Sequence, residues 1–564
     1  MQPIYMAGNN TDIDSGAYLY IAVDVGTSSV RTAVVDREGR IIEYSSEDIS
    51  IWQPSPELYE LSSENIWKCL CSAVRKACSK VNKGNIRGIG FDATCSLVAL
   101  DKHGNPVSIT PNKATNRNII LWLDHRAVKE AEIINTTGHD VLKFVGGKIS
   151  PEMQAPKILW CKKNLEEERW KDISVFFDLP EFLTFKATGS YTRSLCSLVC
   201  KFNYMGHSSQ QINGNSGWIP SFWSGIGLSE FVEDDFRILG GNSVSMPGKP
   251  LAHGLSVQAA QDLDLPTGLP VATSLIDAHA GGLGVIGAAV KKELSCESLT
   301  SRLAIISGTS SCHMAIDEQP LFVDGVWGPY YSAMVPDLWL NEGGQSATGK
   351  VIDHILETHP AWTELVEKAK QSACTVYEKL YSILEESAQD QEHYALLTND
   401  YHVYPDFHGN RSPIADPTLK GMVTGLTLTN DLKSLAVLYL ATIQALSCGT
   451  RQIIERLNSC GHNIKAIFIC GGLSKNPLFV QCHADVTGLP LVLPRETDSV
   501  LVGSAILAAY AAGDFKTMKD AMACMSSAGN VLHPNSSTKR FYEKKYQVFQ
   551  KMYQDQLDYR RIMC

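Results

Sequence analysis

The sequence has no apolar run of about 20 residues, the length that an α-helix needs to cross a lipid bilayer. Its first residues are polar and lack the apolar core of a signal peptide. The final Arg-Ile-Met-Cys is not a prenylation motif, because its Cys is the last residue. We therefore expect a cytoplasmic protein with no membrane partner, in which residues 1–17 form a mobile extension.

Basic tracts and C-x-x-C cysteine pairs are also missing. The formal net charge is −10, and no basic stretch stands out that could neutralise the phosphates of a nucleic acid. The 16 cysteines include no C-x-x-C pair and are scattered through apolar segments, a pattern typical of reduced, buried thiols and not of a zinc site. We expect no nucleic-acid partner. The length of 564 residues suffices for two large cores.

A segment near the N-terminus has the groups that a phosphate site needs. Apolar and small residues alternate on both sides of Gly26-Thr27-Ser28-Ser29, which predicts two strands joined by a tight turn. The backbone N–H groups of such a turn can form an anion-binding nest, and a nearby carboxylate, here Asp24, can hold a metal ion. An ordinary hairpin is the alternative, because one short glycine-rich match is weak support for a phosphate site.

The same tetrapeptide occurs again in the second half of the chain, as Gly308-Thr309-Ser310-Ser311. A strand–turn–strand pattern in each half predicts two domains of common design that face each other across a shared site. After the first hairpin, the apolar residues from Ile66 to Val81 follow one helical face, and residues 86–93 form a strand. This order of elements is typical of a ribonuclease-H-like domain.

Three further positions have both a structural and a functional interpretation. Asp277 interrupts an apolar segment where a strand passes into a helix, so it is either functional or a helix N-cap. Trp122 lies close to Asp124 and Arg126, which either bind a polyhydroxylated ligand or form a cap with a surface ion pair. Lys201 lies in an apolar segment and is either a ligand contact or a lysine whose charged end reaches solvent.

These motifs resemble those of one superfamily. Asp24-x-Gly26-Thr27-x-Ser29-x-Arg31, the second Gly-Thr-Ser turn and Gly471-Gly472 resemble the two phosphate motifs and the adenosine motif of the actin–Hsp70–sugar-kinase superfamily. Within it, residues 20–513 resemble an FGGY carbohydrate kinase. The segments 276–279, 342–346 and 409–413 resemble ribulokinases.

The resemblance implies an α/β fold with two ribonuclease-H-like domains facing each other across an active-site cleft. Residues 18–290 would form the N-terminal domain, with the sugar site and the first phosphate motif. Residues 291–513 would form the ATP-binding C-terminal domain, and residues 514–564 a helical tail packed on it.

The resemblance also implies roles for individual residues. Asp277 would be the general base, and Asp24 would hold Mg²⁺ through water. The residues that would bind ATP are Gly26, Thr27, Ser28, Arg31, Gly308, Thr309, Ser310, Gln345, Gly471, Gly472 and Asn476. The residues that would bind the sugar are Cys95, Trp122, Arg126, Lys201, Asp277 and Glu342.

The implied activity is ATP-dependent phosphorylation of a ketopentose, with D-ribulose converted to D-ribulose 5-phosphate. The partners would be the sugar and ATP, in a monomer or a homodimer. Alternatives are a kinase for L-ribulose or xylulose, a non-catalytic kinase homologue, and a nucleotide-dependent binding protein similar to Hsp70 or actin.

Overall fold

The computed structural model describes residues 18–111, 116–207, 217–290 and 292–564. The expected N-terminal extension, residues 1–17, lies outside the described residues and stays a prediction.

Strands are numbered in chain order within these ranges. They are β1 (Leu19–Val25), β2 (Ser29–Asp36), β3 (Ile41–Asp48), β4 (Trp52–Ser55), β5 (Leu58–Leu61), β6 (Ile86–Ala93), β7 (Leu97–Leu100), β8 (Ile119–Ile120), β9 (Val175–Asp178), β10 (Arg193–Ser194), β11 (Val244–Ser245), β12 (Leu275–Ile276), β13 (Arg302–Ser307), β14 (Ser311–Asp317), β15 (Trp327–Tyr331), β16 (Trp339–Gln345), β17 (His402–Tyr404), β18 (Met422–Thr424), β19 (Ala466–Cys470), β20 (Leu491–Pro494) and β21 (Ala528–Leu532).

The α-helices are numbered in the same way. They are α1 (Ser63–Ala77), α2 (Val128–Thr136), α3 (Gln154–Asn164), α4 (Glu167–Asp172), α5 (Leu179–Thr188), α6 (Leu195–Lys201), α7 (Pro220–Gly225), α8 (Ser229–Glu233), α9 (Val257–Leu263), α10 (Asp277–Ile286), α11 (Gly349–Glu357), α12 (Trp362–Gln371), α13 (Val376–Ser387), α14 (Leu432–Ser459), α15 (Pro477–Thr487), α16 (Ser499–Ala511), α17 (Met518–Met525) and α18 (Lys539–Met563).

Two sheets share one topology. The first has the order β12-β6-β1-β2-β3, in which β1, β2 and β3 are antiparallel neighbours and β6 and β12 run parallel to β1. The second contains β20-β19-β13-β14-β16 in the same arrangement, with β21 and β15 added at its edges. The repeated arrangement confirms the predicted α/β fold of two ribonuclease-H-like domains.

A third sheet, which the sequence did not predict, is inserted into the first domain. Its order is β4-β5-β8-β7-β9, and all its neighbours are antiparallel. Its strands are only two to four residues long, which is too short for an alternating pattern to show. The sheet supports the segments after β6 and β8, which carry Cys95 and Trp122.

A local sequence signal explains where α1 begins. Ser62 Oγ accepts a hydrogen bond from the Asn65 N–H at 3.3 Å, so Ser62 is the N-cap. The apolar face that was predicted to reach Val81 is α-helical to Ala77 and continues as a 3₁₀ turn over Cys78–Lys80.

Two helices rich in small residues join the domains. α10 follows the first sheet along the chain but packs on β13 and β19 of the second sheet. α16 follows the second sheet but packs on β1 and β6 of the first, and the two helices also pack on each other. The small-residue helix that the sequence predicted after Asp498 therefore lies at the centre of the molecule.

Glycine is needed where these elements meet, because the backbones nearly touch. A Cβ atom at Gly503 of α16 would lie 1.9 Å from the carbonyl oxygen of Ala280 in α10. A Cβ atom at Gly90 of β6 would lie 2.0 Å from the carbonyl oxygen of Ser504. Any side chain at these positions would force the helices and the sheet apart.

The helix α14 is long and apolar enough, by length and by a mean hydropathy of 1.3, to cross a membrane. However, 72% of its apolar window is buried inside the protein, where it packs on α11, α13 and α15. Burial of this kind is typical of the central helix of a globular domain.

The C-terminal residues 514–564, predicted as a helical tail, also contain a strand. β21 pairs antiparallel with β20 and so extends the second sheet. The long helix α18 packs on α14, α15 and β17 of the second domain. Its buried contacts include Tyr542, Tyr546 and Phe549.

We predict that Gly503→Ala lowers the free energy of unfolding by about 1–3 kcal/mol, because the added methyl group overpacks the α10–α16 contact. Thermal and denaturant unfolding of the full chain measures this loss. Gly225→Ala is the matched control, because it also replaces a helical glycine but its Cβ atom would meet nothing within 4 Å. Equal stability of the two variants would contradict the prediction.

Candidate active site

A cleft of about 450 Å³ lies between the two domains. Residues Gly26–Ser29, which connect β1 to β2, line it from the first domain. The turn Gly308–Ser310, which connects β13 to β14, lines it from the second domain. The structure thus brings together the two turns that share the Gly-Thr-Ser-Ser sequence.

Hydrogen bonds within the protein fix the shape of both turns. The Gly26 N–H donates to Ser29 O at 3.0 Å, and the Gly308 N–H donates to Ser310 O at 2.8 Å. The start of α11 also braces the second turn, because the Thr348 N–H donates to Thr309 O at 2.8 Å. The turns are therefore rigid before any ligand binds.

Two helix N-termini point at the same cleft. Ile276 to Ala278, at the start of α10, and Thr497 to Val500, at the start of α16, are among the lining residues. The N-terminus of a helix carries partial positive charge and unpaired N–H groups, which favour an anion such as a phosphate. The cleft is therefore suited to anions despite the protein's negative net charge.

Asp277 is the first residue of α10 and lines the cleft. Its Oδ1 accepts a hydrogen bond from the Ala278 N–H at 2.7 Å, which orients the carboxylate. Burial and the negative charge of Asp24 raise the pKa of Asp277 to about 7. A carboxylate with this pKa is suited to accepting a proton near neutral pH.

Two further carboxylates, Asp24 and Asp92, lie beneath the lining of the cleft and close to Asp277. Asp24 on β1 and Asp92 on β6 are paired in register on neighbouring strands, and both are fully buried. Burial and the charge of Asp24 raise the pKa of Asp92 well above its ordinary value. Asp277 interacts electrostatically with both of them.

This carboxylate group fits a divalent cation. Asp24 Oδ2 forms an ion pair with Arg31, whereas Asp24 Oδ1 and Asp92 Oδ1 have no hydrogen-bond partner among the described residues. The raised pKa values of Asp92 and Asp277 reflect an excess of buried carboxylates over the single guanidinium. A divalent cation would balance this excess when the carboxylates are ionised, and carboxylate oxygen is the ligand type that Mg²⁺ prefers. Asp92 was missed at the sequence level, although it ends a buried strand as Asp24 does.

The two glycines of the proposed adenosine motif differ in their surroundings. Both line the cleft, after β19. A Cβ atom at Gly471, where φ is +92°, would lie 2.4 Å from the carbonyl oxygen of Ser307, so glycine is required for packing. A Cβ atom at Gly472 would meet nothing within 4 Å, so it would enter the open cleft.

The predicted sugar-binding residues Cys95, Trp122, Lys201 and Glu342 also line the cleft. Trp122 Nε1 donates to Thr27 Oγ1 at 3.1 Å, which connects this wall to the first turn. The buried Lys157 donates to Leu121 O at 2.8 Å and so holds the backbone beside Trp122. The Lys201 ammonium lies 4.6 Å from the centre of the Trp327 ring.

The structure places four predicted site residues outside the lining of the cleft, namely Asp24, Arg126, Gln345 and Asn476, and Asp24 is fully buried beneath it. Arg126 is buried in ion pairs with Asp124 and Glu60, and its Nη1 donates to Ile109 O at 3.1 Å. Its donors support the polypeptide around β8. The ion pair is buried, whereas the structural alternative stated for this position was a surface ion pair.

Gln345 and Asn476 are likewise engaged within the protein. Gln345 Nε2 donates to Leu446 O in α14 at 2.8 Å. Asn476 caps α15, because its Oδ1 accepts from the Phe479 N–H at 3.2 Å and its Nδ2 donates to Tyr439 Oη at 2.7 Å.

A buried ion pair between the domains was missed by the sequence reasoning. Arg411 Nη2 lies 3.2 Å from Glu152 Oε2, and both residues line the cleft. Burial would raise the pKa of Glu152, but the positive charges around it, of which Arg411 is the strongest and Lys201 the next, together hold that pKa below its ordinary value. Arg411 lies in the ribulokinase-like segment 409–413, which was its only signal.

His279, two residues after Asp277, lies behind this wall. Burial lowers the pKa of His279 to about 4, so its ring is neutral at physiological pH. The 3.8 Å contact between His279 Nε2 and Glu342 Oε2 is therefore not an ion pair.

Comparisons with known proteins agree with this geometry. Residues 19–205 match the N-terminal domain of the FGGY family of carbohydrate kinases, and residues 303–512 match its C-terminal domain. The chain is 54% identical to the human FGGY carbohydrate kinase domain-containing protein, over 96% of this chain and 98% of the human protein. It is 41% identical to a D-ribulokinase of Saccharomyces cerevisiae, over 91% of this chain and 75% of the yeast protein.

A solved structure has the same fold. The ligand-bound xylulose kinase from Lactobacillus acidophilus aligns with a TM-score of 0.76, at 18% identity, over 95% of this chain and 98% of that one. Together with the two matched domain models, which cover more than half of the chain, these similarities identify the family. The chain belongs to the FGGY family of carbohydrate kinases.

Proposed function

We propose that the protein transfers the γ-phosphoryl group of ATP to a ketopentose, and that its substrate is D-ribulose, which becomes D-ribulose 5-phosphate. One observation carries the reaction: a single cleft holds both Gly-Thr-Ser turns, and Asp277, whose pKa is near neutral, lies beside them. The identity with a D-ribulokinase over most of this chain supports the choice of sugar.

Asp277 would act as the general base. Its carboxylate accepts the proton of the attacking sugar hydroxyl while the hydroxyl oxygen bonds to the γ-phosphorus. The Ala278 N–H and the position at the start of α10 orient the carboxylate toward the cleft. The rest of the catalysis is positioning and charge stabilisation, because phosphoryl transfer needs little covalent chemistry from the protein.

The phosphates would lie between the two turns, close to both helix N-termini. Thr27, Ser28, Thr309 and Ser310 offer hydroxyl groups there, and Arg31 adds a positive charge. Asp24 and Asp92 would hold Mg²⁺, which when bound would neutralise charge on the phosphate oxygens. Gly472 would border the adenosine, because a side chain there would enter the cleft.

The sugar would lie between Asp277 and the wall formed by Cys95, Trp122, Lys201 and Glu342. Lys201 and Glu342 provide a donor and an acceptor for hydroxyl groups, and the Trp122 ring provides an apolar face. The Arg411–Glu152 ion pair joins the two domains beside this pocket, so it would help to keep water out of the closed site.

Asp277→Asn should lower kcat by about 10²–10⁴-fold, because the amide cannot accept the hydroxyl proton. Nucleotide affinity should remain within about twofold, since the substitution changes neither turn. A coupled assay of ADP release and a nucleotide titration measure these quantities. Turnover close to that of the unaltered protein would remove Asp277 from the role of base.

The rate should also fall in acid. Because the raised pKa of Asp277 is about 7, the group is ionised above this pH and protonated below it. We expect kcat/KM for the sugar to be constant above pH 7 and to fall about tenfold per pH unit well below it. The residual activity of Asp277→Asn, measured over the same range, is the control and should lack this decline. A flat profile for the unaltered protein between pH 5 and 8 would contradict the assignment.

The choice of sugar is tested with a panel of ketopentoses. ADP release with D-ribulose, L-ribulose, D-xylulose and L-xylulose should give the highest kcat/KM for D-ribulose. A higher value for any other ketopentose would overturn the ribulose assignment but keep the kinase. ATP hydrolysis that no sugar stimulates would instead favour a nucleotide-dependent binding protein.

A further inference from the structure

Two thiols and an imidazole meet behind the sugar-side wall of the cleft. Helix α6 places Cys196 and Cys200 one turn apart, and His279 lies in the first turn of α10. One ligand atom from each residue can be chosen so that all three atoms lie within 4.8 Å of one another. Cys200 Sγ lies 3.4 Å from His279 Nε2, and all three side chains are buried.

The distance between the Cys200 and His279 ligand atoms fits a tetrahedral zinc ion. With Zn–S of about 2.3 Å and Zn–N of about 2.0–2.1 Å, two ligand atoms around one ion are roughly 3.5–3.8 Å apart. The observed separation of the Cys200 and His279 ligand atoms is close to this value. Two thiols with one imidazole favour zinc over magnesium, because Mg²⁺ prefers oxygen ligands.

Glu342 lies beside this cluster but outside the group of three, so it would supply a fourth ligand by moving toward the thiols. Its Oε2 lies 3.8 Å from His279 Nε2 and has no hydrogen-bond partner in the part of the chain that the structure describes. The residue is only 3% exposed, yet it lines the cleft, so it lies between the cleft and the buried cluster.

Charge also favours an ion at this place. A bound Zn²⁺ with two thiolates and one carboxylate carries a net charge of −1, because the two thiol protons are released to solvent. The positive side chain of Lys201, which follows Cys200 in the chain, electrostatically favours that charge. Release of two protons means that the affinity for zinc should rise with pH.

We propose that Cys196, Cys200, His279 and Glu342 form a zinc site, and that zinc bound there inhibits the enzyme by withdrawing Glu342 from the sugar pocket. The inhibitory part rests on the proposed function, in which Glu342 binds the sugar. The metal site itself does not depend on which reaction the protein catalyses.

The metal site is tested by titrating the full chain, kept reduced by a non-thiol reductant, with Co²⁺ as a spectroscopic substitute for zinc. We expect one equivalent to bind, with tetrahedral d–d absorption and a thiolate-to-cobalt charge-transfer band. Cys196→Ala should weaken binding at least tenfold and reduce the charge-transfer band. Cys161→Ala, which removes a buried thiol of the same domain outside the cluster, is the matched control and should bind as the unaltered chain does.

An unchanged titration in Cys196→Ala would overturn the site. If this variant does not fold, the unaltered chain still decides the matter: X-ray absorption of the protein with one equivalent of Zn²⁺ should show two sulfur neighbours at about 2.3 Å. A shell of nitrogen and oxygen alone would overturn the proposal.

Inhibition is tested in the kinase assay with free Zn²⁺ held by a metal buffer and with Mg²⁺ in excess. We expect zinc to raise the KM for the sugar roughly tenfold with little change in kcat, because one charge-assisted contact to the sugar is lost. Cys196→Ala should keep its zinc-free activity and escape the inhibition, whereas Cys161→Ala should stay sensitive. Equal inhibition of all three proteins would overturn the regulatory role.

If no sugar is phosphorylated at all, the proposed function fails and the inhibitory role falls with it. The cobalt titration still decides the metal site in that case.

Discussion

The contact between α10 and α16 is the constraint on which the rest of the structure depends. Each helix follows the sheet of one domain and packs on the sheet of the other, so a helix from the opposite domain covers part of each sheet. Glycines at 90 and 503 permit this, because a Cβ atom at either position would overlap a backbone carbonyl. The same exchange brings both helix N-termini to one cleft, where a phosphate can use both.

This arrangement brings three buried aspartate side chains close together. Asp24, Asp92 and Asp277 come together because β1, β6 and β12 are neighbours in the first sheet. Burial and the negative charge of Asp24 raise the pKa of Asp277 toward neutrality. The same group of buried carboxylates would therefore attract a cation and provide the base that a kinase needs.

In the proposed mechanism, the residue that binds the sugar would lie next to the metal site that inhibits the enzyme. Glu342 on β16 belongs to the second domain, whereas His279 on α10 and the thiols of α6 belong to the first. The carboxylate therefore has two possible partners, a sugar hydroxyl on its cleft side and a metal ion on its buried side. A single side chain would link metal occupancy to substrate affinity.

The sequence alone determined the repeated strand–turn–strand design, the two Gly-Thr-Ser turns and the acid at residue 277, because each depends on local pattern and spacing. It left open whether Trp122, Arg126 and Lys201 were structural or functional, and the short strands of the third sheet gave no pattern. Only the tertiary structure decided that Arg126 is held in a buried ion pair and that Arg411 meets Glu152 across the domains. It also placed Cys200 next to His279, a contact that the spacing of these residues in the sequence could not predict. Such contacts join residues far apart in the chain, so the packing of α10 against α16 and the two sheets determines them.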